Sequence, residues 1–306
     1  SMSLIEQAAK RLEQLRQAGV ELPDDSSLNS LVTKSYVTPQ NETTIEDVPE
    51  PPNRAPLSAP SPTKRIDLDL EAIAASGLLV PHASRSQLAD EFRVIKRPLI
   101  ANAMGRGSNL ISNGNLIMIT SALPGEGKSF TAINLAISVA MELDNTVMLV
   151  DADVARPSVL NMLGLPPAPG LLDVLDKNSV DISSVLMRTN IEKLSILPSG
   201  TRHPRATELL ASDAMVRLLD DMANRYSDRI IIFDSPPLLL TTESRAIATH
   251  MGQIVIVVNA EHTLQSAVMQ ALATIQACPV KMTVLNQSRQ VASNGYGYGY
   301  GYGNDV

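Results

Sequence analysis

The sequence predicts an α/β protein: a mostly parallel sheet with helices on both faces. Three observations carry that reading. From about residue 115, short apolar runs alternate with helix-length segments. The runs are near-continuously apolar rather than alternating, as strands buried on both faces are. A glycine-rich loop and two acidic turns follow the runs directly, at the strand ends where open sheets of this kind bind ligands.

The elements follow in order along the chain. LIEQAAKRLEQLRQAG places Leu4, Ile5, Ala8, Leu12 and Leu15 on one helical face, and Gly19 stops it. Residues 1–20 therefore read as an amphipathic helix, either docked on its own domain or offered to a partner. Residues 21–65, with PDDSS and EDVPEPPNRAPLSAPSPT, hold no periodicity and read as a disordered linker. An ordered domain is expected over 66–288. It opens with DLDLEAIAASG, a short helix closed by Gly77, and with SRSQLADEFRVIKRPLIANA, an amphipathic helix near 86–104. The latter sets Leu88, Phe92 and Ile95 on one side and Asp90, Arg93 and Lys96 at every third position on another. The expected strands are NLIMITSA, TVMLVDAD, RIIIFDSPP, QIVIVVNA and VKMTVLN, the last ending near Asn286. Helices are expected over Lys128 to Leu143 and in ATELLASDAMVRLLDDMANRY, TTESRAIATH and LQSAVMQALATIQA. Residues 289–306 read as a flexible tail in which Tyr296, Tyr298, Tyr300 and Tyr302 alternate with glycine.

Composition narrows the function. A net charge of −7 over 306 residues argues against nonspecific binding to nucleic acid or anionic lipid. The single cysteine, Cys278, rules out an intramolecular disulfide and reads as a small buried hydrophobe. No apolar run approaches the roughly 18 residues that span a bilayer, so membrane association is expected through a partner.

Three motifs carry chemistry. SALPGEGKS follows the first long strand and precedes a helix. It meets the P-loop pattern at Gly127, Lys128 and Ser129, with Ala122 in place of the first glycine. Backbone N–H groups of such a loop cradle phosphate at a helix N-terminus. Lys128 would reach the β- and γ-phosphates, and the Ser129 hydroxyl would ligate Mg²⁺. In VMLVDADVARP, Asp151 and Asp153 leave the end of a buried strand, placed to serve Mg²⁺ through water or to accept a proton from an incoming hydroxyl; Asp153 could instead cap the following helix. In RIIIFDSPP, Asp234 ends an apolar run as a Walker B aspartate does. No guanine-reading signature appears, which favours ATP. Asn286 could face the base or serve a turn.

Together these motifs and the tyrosine cluster resemble the bacterial tyrosine kinases of polysaccharide export, in order and spacing, over roughly residues 66 to 306. IDLDLEAIAASGLLVP and EFRVIKRPLIANA look like the subgroup tied to exosortase/PEP-CTERM (XrtA-associated) exopolysaccharide loci. The resemblance implies a P-loop NTPase-type sheet and a Mg²⁺-ATP-dependent tyrosine autokinase. Lys128, Asp151 and Asp153 would be catalytic. Pro124, Gly125, Glu126, Gly127, Lys128, Ser129, Phe130 and Asn286 would surround ATP. Ser129, Asp151 and Asp234 would hold Mg²⁺, and Tyr296, Tyr298, Tyr300 and Tyr302 would accept phosphate. It also implies a membrane polysaccharide chain-length or co-polymerase protein as activator, a tyrosine phosphatase, no nucleic acid, and a cytoplasmic location peripheral to the inner membrane. A ring-shaped homo-oligomer would use an ExxRxxR helix, which here reads Asp90, Arg93, Lys96; lysine lacks the bidentate fork of arginine.

The tail fits that picture. From Asn286 to Tyr296 is ten residues, at most about 35 Å of extended chain, so an acceptor tethered there gains effective concentration beside the donor. Two other readings share the motifs. A septum-placing or plasmid-partition type ATPase switch usually carries an extra lysine where Leu123 stands. A scaffold that only binds ATP would tolerate loss of the acidic set.

Overall fold

The computed structural model describes residues 64–81, 86–107, 110–176, 180–225 and 229–288. The expected N-terminal helix, nearly all of the linker and the tyrosine tail lie outside the described residues. Among the described residues, eight strands form one sheet: β1 (Lys64–Arg65), β2 (Leu116–Ser121), β3 (Thr146–Asp151), β4 (Met187–Arg188), β5 (Leu194–Leu197), β6 (Arg229–Asp234), β7 (Gln253–Asn259) and β8 (Val280–Asn286). Their order is β1-β4-β5-β3-β6-β2-β7-β8. Every pair is parallel except β4 with β5.

The helices among the described residues are α1 (Leu70–Ala75), α2 (Gln87–Ala103), α3 (Lys128–Ala140), α4 (Val159–Met162), α5 (Leu171–Asp176) and α6 (Ile182–Val185), followed by α7 (Ala206–Leu210), α8 (Asp213–Arg225), α9 (Glu243–Ala248) and α10 (Gln265–Thr274). They make two layers. On one face, Ile117, Ile119, Val147, Leu149, Ile230 and Ile232 pack with α1, α2 and α3. On the other, Met118, Met148, Val150, Ile231 and Phe233 pack with α5 to α10. The period-2 alternation of a strand sends neighbouring residues to opposite layers, so central strands must be apolar throughout. β8 is an edge and shows it: its residues alternate between exposed and half-buried, with Met282 and Val284 turned inward.

The structure departs from expectation in three places. β1, β4 and β5 join the sheet unannounced, because two-residue strands and LSIL carry too little pattern. β1 also starts at Lys64, inside the stretch read as linker. The long helix expected from Ala206 to Tyr226 breaks after Leu210, and the Ser212 hydroxyl accepts from the Met215 N–H to start α8.

α2 is as expected in extent, but its charged residues do not share a face. Asp90 and Arg93 are exposed and pair with each other. Lys96 is only 5% exposed; its Nζ lies 2.6 Å from Glu142 Oε1 and donates to the Ser138 carbonyl at 2.6 Å. Positions 92, 96 and 99 form the buried stripe of this helix, since they fall four and three apart. As a residue that meets a neighbouring subunit, Lys96 is therefore corrected: it clamps α2 onto the C-terminal end of α3, where a cation also suits the helix dipole.

Candidate active site

The P-loop is built by β2 running into residues 122–127 and then α3. Pro124 and Gly125 form its exposed tip. Gly125 and Gly127 hold φ of 81° and 90°, the left-handed region that favours glycine. Gly127 is constrained twice, because a Cβ there would run into the Asn286 side-chain amide. That amide donates to the Glu126 carbonyl at 2.9 Å. Glu126 is buried; its Oε2 accepts from the Leu123 N–H at 2.7 Å and its Oε1 from the Thr263 hydroxyl. The loop is thus braced from the end of β8 and from the turn before α10. Asn286 thus serves the loop backbone from the end of β8. The first N–H groups of α3 have no intrahelical partner and face the loop, an anion cradle. Phe130 turns its ring into the apolar layer, so only its backbone N–H could serve a phosphate.

The acidic residues meet Lys128 at the same sheet edge. Asp151 and Asp234 are register partners across β3 and β6, and both are buried. Lys128 Nζ sits 2.6 Å from Asp153 Oδ2 and 3.8 Å from Asp234 Oδ1. Asp151 Oδ2 accepts the Ser158 and Val159 N–H groups at 3.2 and 3.1 Å. Asp151, not Asp153, therefore caps α4; Asp153 Oδ1 accepts only the Arg156 N–H, at 3.2 Å, in the preceding turn. The Ser158 hydroxyl donates to Ser129 Oγ at 2.8 Å.

Electrostatics follow from burial. Desolvation pushes the Asp151 carboxyl up to about 8, helped by the nearby Asp234 charge, while the Val159 N–H and Lys128 pull it down. Desolvation also raises Asp234 to about 6, against the pull of Lys128. For Lys128, burial alone would lower the ammonium; Asp234 and Asp153 outweigh it and raise it.

The residues fit a divalent cation. Among the described residues, Asp151 Oδ1, both Asp234 oxygens and Ser235 Oγ are buried without a hydrogen-bond partner, a costly state that a cation or ordered water relieves. No group of three His, Cys, Asp or Glu side chains forms a closed cage among the described residues. That suits Mg²⁺, which takes one or two carboxylates and completes its shell with water and phosphate oxygens. A cavity of about 580 Å³ opens beside Asp151, walled by Pro157, Leu160, Leu165 and Pro169 and rimmed by Arg202.

The structure brings together Lys128, Ser129, Asp151, Asp153, Asp234 and the loop Pro124 to Gly127, with Asn286 behind it. It leaves Asp90, Arg93 and Lys96 on α2, away from this edge. Ser158, Thr263 and the Glu126 carboxylate were not singled out from sequence. Each sits in a loop contact of long sequence separation, where periodicity carries no signal.

The AAA domain family matches residues 114–288, more than half of the chain. Tyrosine-protein kinase YwqD of Bacillus subtilis is 34% identical over 166 residues, which cover 54% of this chain and 68% of YwqD. Succinoglycan biosynthesis transport protein ExoP of Rhizobium meliloti is 33% identical over 183 residues, 59% of this chain but 22% of ExoP. Among solved structures, the chimerical protein CapA2B2 superposes with a TM-score of 0.58 at 28% identity, over 74% of this chain and 94% of that one.

Proposed function

The chain belongs to the AAA domain family and, within it, to the bacterial tyrosine-protein kinases, and from that membership we propose that it transfers the γ-phosphoryl group of ATP to tyrosine. The observation that carries the reading is the meeting of Lys128, Asp151, Asp153 and Asp234 at the mouth of the P-loop, beside a cavity walled by Pro157, Leu160, Leu165 and Pro169. In the transfer, the tyrosine oxygen bonds to the γ-phosphorus, the bond from that phosphorus to the β–γ bridging oxygen breaks, and ADP leaves. Asp151 accepts the phenolic proton: it faces the cavity, and a carboxyl near neutrality suits a general base. Lys128 must turn from Asp153 toward the phosphates as nucleotide enters. Ser129 and Asp234 would hold Mg²⁺, which when bound neutralises charge on the phosphate oxygens. The loop amides and α3 orient the phosphates.

The acceptors we assign are Tyr296, Tyr298, Tyr300 and Tyr302, because β8 ends at Asn286 against the P-loop and the tail continues from there. Four phosphates would add about −6 to −8 of charge, comparable to the protein's own −7, and would loosen contact with other copies or with a membrane partner. The ExoP relative supports a role in exopolysaccharide synthesis or export; a membrane co-polymerase protein as activator and a resetting phosphatase complete the proposal. The segments around Ile73 and Val94 support the exosortase-associated subgroup. Among the described residues no helix is long and apolar enough to cross a membrane.

The test compares ADP formed with phosphotyrosine formed when the protein is given Mg²⁺-ATP, with and without an activating partner. Matched yields support the kinase. Steady ADP release without phosphotyrosine in either condition would leave an ATPase switch.

A further inference from the structure

A second cavity, of about 410 Å³, lies at the opposite edge of the sheet and has no part in the chemistry above. Thr146 and Arg229 open β3 and β6, the two strands that Asp151 and Asp234 close, and each pair is in register. Five residue steps separate the two edges, about 17 Å. Besides Thr146 and Arg229, the cavity is lined by Arg65, Arg188, Lys193 and a single acid, Glu192. Four cations against one carboxylate is the reverse of a chain whose net charge is −7.

The arrangement of the arginines is specific. Arg65 on β1 and Arg188 on β4 are Cα partners in parallel strands, so their side chains leave the same face side by side. Like charges directly opposite one another destabilise a strand pair. Among the described residues neither guanidinium has a carboxylate partner, and both residues are exposed. The pairing is held instead by backbone: Ile66 N–H donates to the Arg188 carbonyl at 2.9 Å, and the Asn190 side chain bonds Leu68 in both directions. Thr146 Oγ1 is buried without a hydrogen-bond partner among the described residues. Lys193 spends its ammonium on the carbonyls of Glu142 and Leu143, which leaves Arg65 and Arg188 as the forks available to a ligand.

We propose that this cavity binds a small phosphorylated molecule, with Arg65 and Arg188 gripping a phosphate or diphosphate group. Paired guanidinium forks match phosphate oxygens bidentately, and an oxyanion between them removes their mutual repulsion. The volume exceeds a lone phosphate and lies within the range of small-ligand pockets. Because β1 is the strand through which the chain enters the sheet, occupancy would also fasten β1 to β4.

The test is calorimetric titration of pyrophosphate into the full chain carrying Lys128→Ala, with sulfate at equal ionic strength as control. This background silences the P-loop, so the result does not depend on whether the protein is a kinase. The expected result is saturable binding of pyrophosphate over sulfate. It should weaken about 10-fold or more in Arg188→Gln and in Arg65→Gln, the scale of one lost charge-assisted hydrogen bond, and less in Arg188→Lys. Both arginines are exposed, so these variants should fold; an unchanged melting temperature without ligand verifies it. Absence of binding, or binding that is indifferent to both arginine substitutions, would overturn the proposal. Inorganic phosphate and O-phosphotyrosine, titrated in parallel, separate a free anion from a phosphomonoester as the source of the group.

Discussion

Replacing Asp151 by asparagine should stabilise the metal-free protein while stopping the transfer. The Asp151 carboxyl is almost fully buried and is pushed from its ordinary 3.8 up to about 8. Its folded pKa lies above its unfolded one, so the folded protein holds a proton that the unfolded chain releases. The stability is complete below about pH 4 and is lost as the pH rises toward 8. At pH 7 the loss is on the order of 4 kcal/mol, from about 1.4 kcal/mol per pKa unit. Asp151→Asn removes that titration. Its amide oxygen can keep accepting from the Ser158 and Val159 N–H groups, and its NH₂ can donate toward Asp234. The expected outcome is a melting temperature raised by up to about 10 °C at pH 7 in a chelator, with a flatter dependence between roughly pH 5 and pH 8 than the parent shows. Phosphotyrosine formation should fall by at least about 100-fold, the lower range for loss of a general base. A melting temperature that is unchanged or lower at pH 7 would refute the reasoning, because the buried carboxylate would then not be the source of strain.

Other substitutions separate the remaining contacts. Lys128→Ala should abolish ATP binding in equilibrium dialysis and cost about 3 kcal/mol in urea unfolding near pH 8, because it strips the cation from the buried Asp153. Gly127→Ala should destabilise by about 2 kcal/mol or more and weaken ATP binding, since it strains φ and displaces Asn286. Gly125→Ala meets no neighbour and should cost about 1 kcal/mol. Lys96→Gln should lower unfolding free energy by about 1 kcal/mol, the loss of a charge-assisted hydrogen bond to a partner that stays hydrated, while native mass spectra keep the parent's distribution of oligomers. Arg93→Ala should leave stability within about 0.5 kcal/mol.

The four central strands β2, β3, β6 and β7 were legible because burial on both faces forces nearly every position to be apolar, as in Ile230 to Phe233. The P-loop and the three aspartates were legible because each must stand at a strand end. What escaped has physical causes. Two-residue strands such as Lys64–Arg65 are held by pairing rather than by pattern. Lys96 was misplaced because a spacing of three drifts around a helix, while its true neighbours Phe92 and Leu99 follow the i, i+4, i+7 stripe. The brace from Thr263 to Glu126 spans 137 residues, and no local signal marks such a contact. The role of Asp151 as a cap for α4 also lay hidden, since Asp153 stands nearer the expected helix.

The central claim is transfer to tyrosine at the Lys128 site. It is met most directly by mass spectrometry of the peptide holding Tyr296 to Tyr302, after incubation with Mg²⁺-ATP, beside Lys128→Ala and Asp151→Asn. Phosphate on those tyrosines in the parent protein alone is the predicted result. Bare tyrosines throughout, with the activating partner present and ATP still consumed, would contradict it.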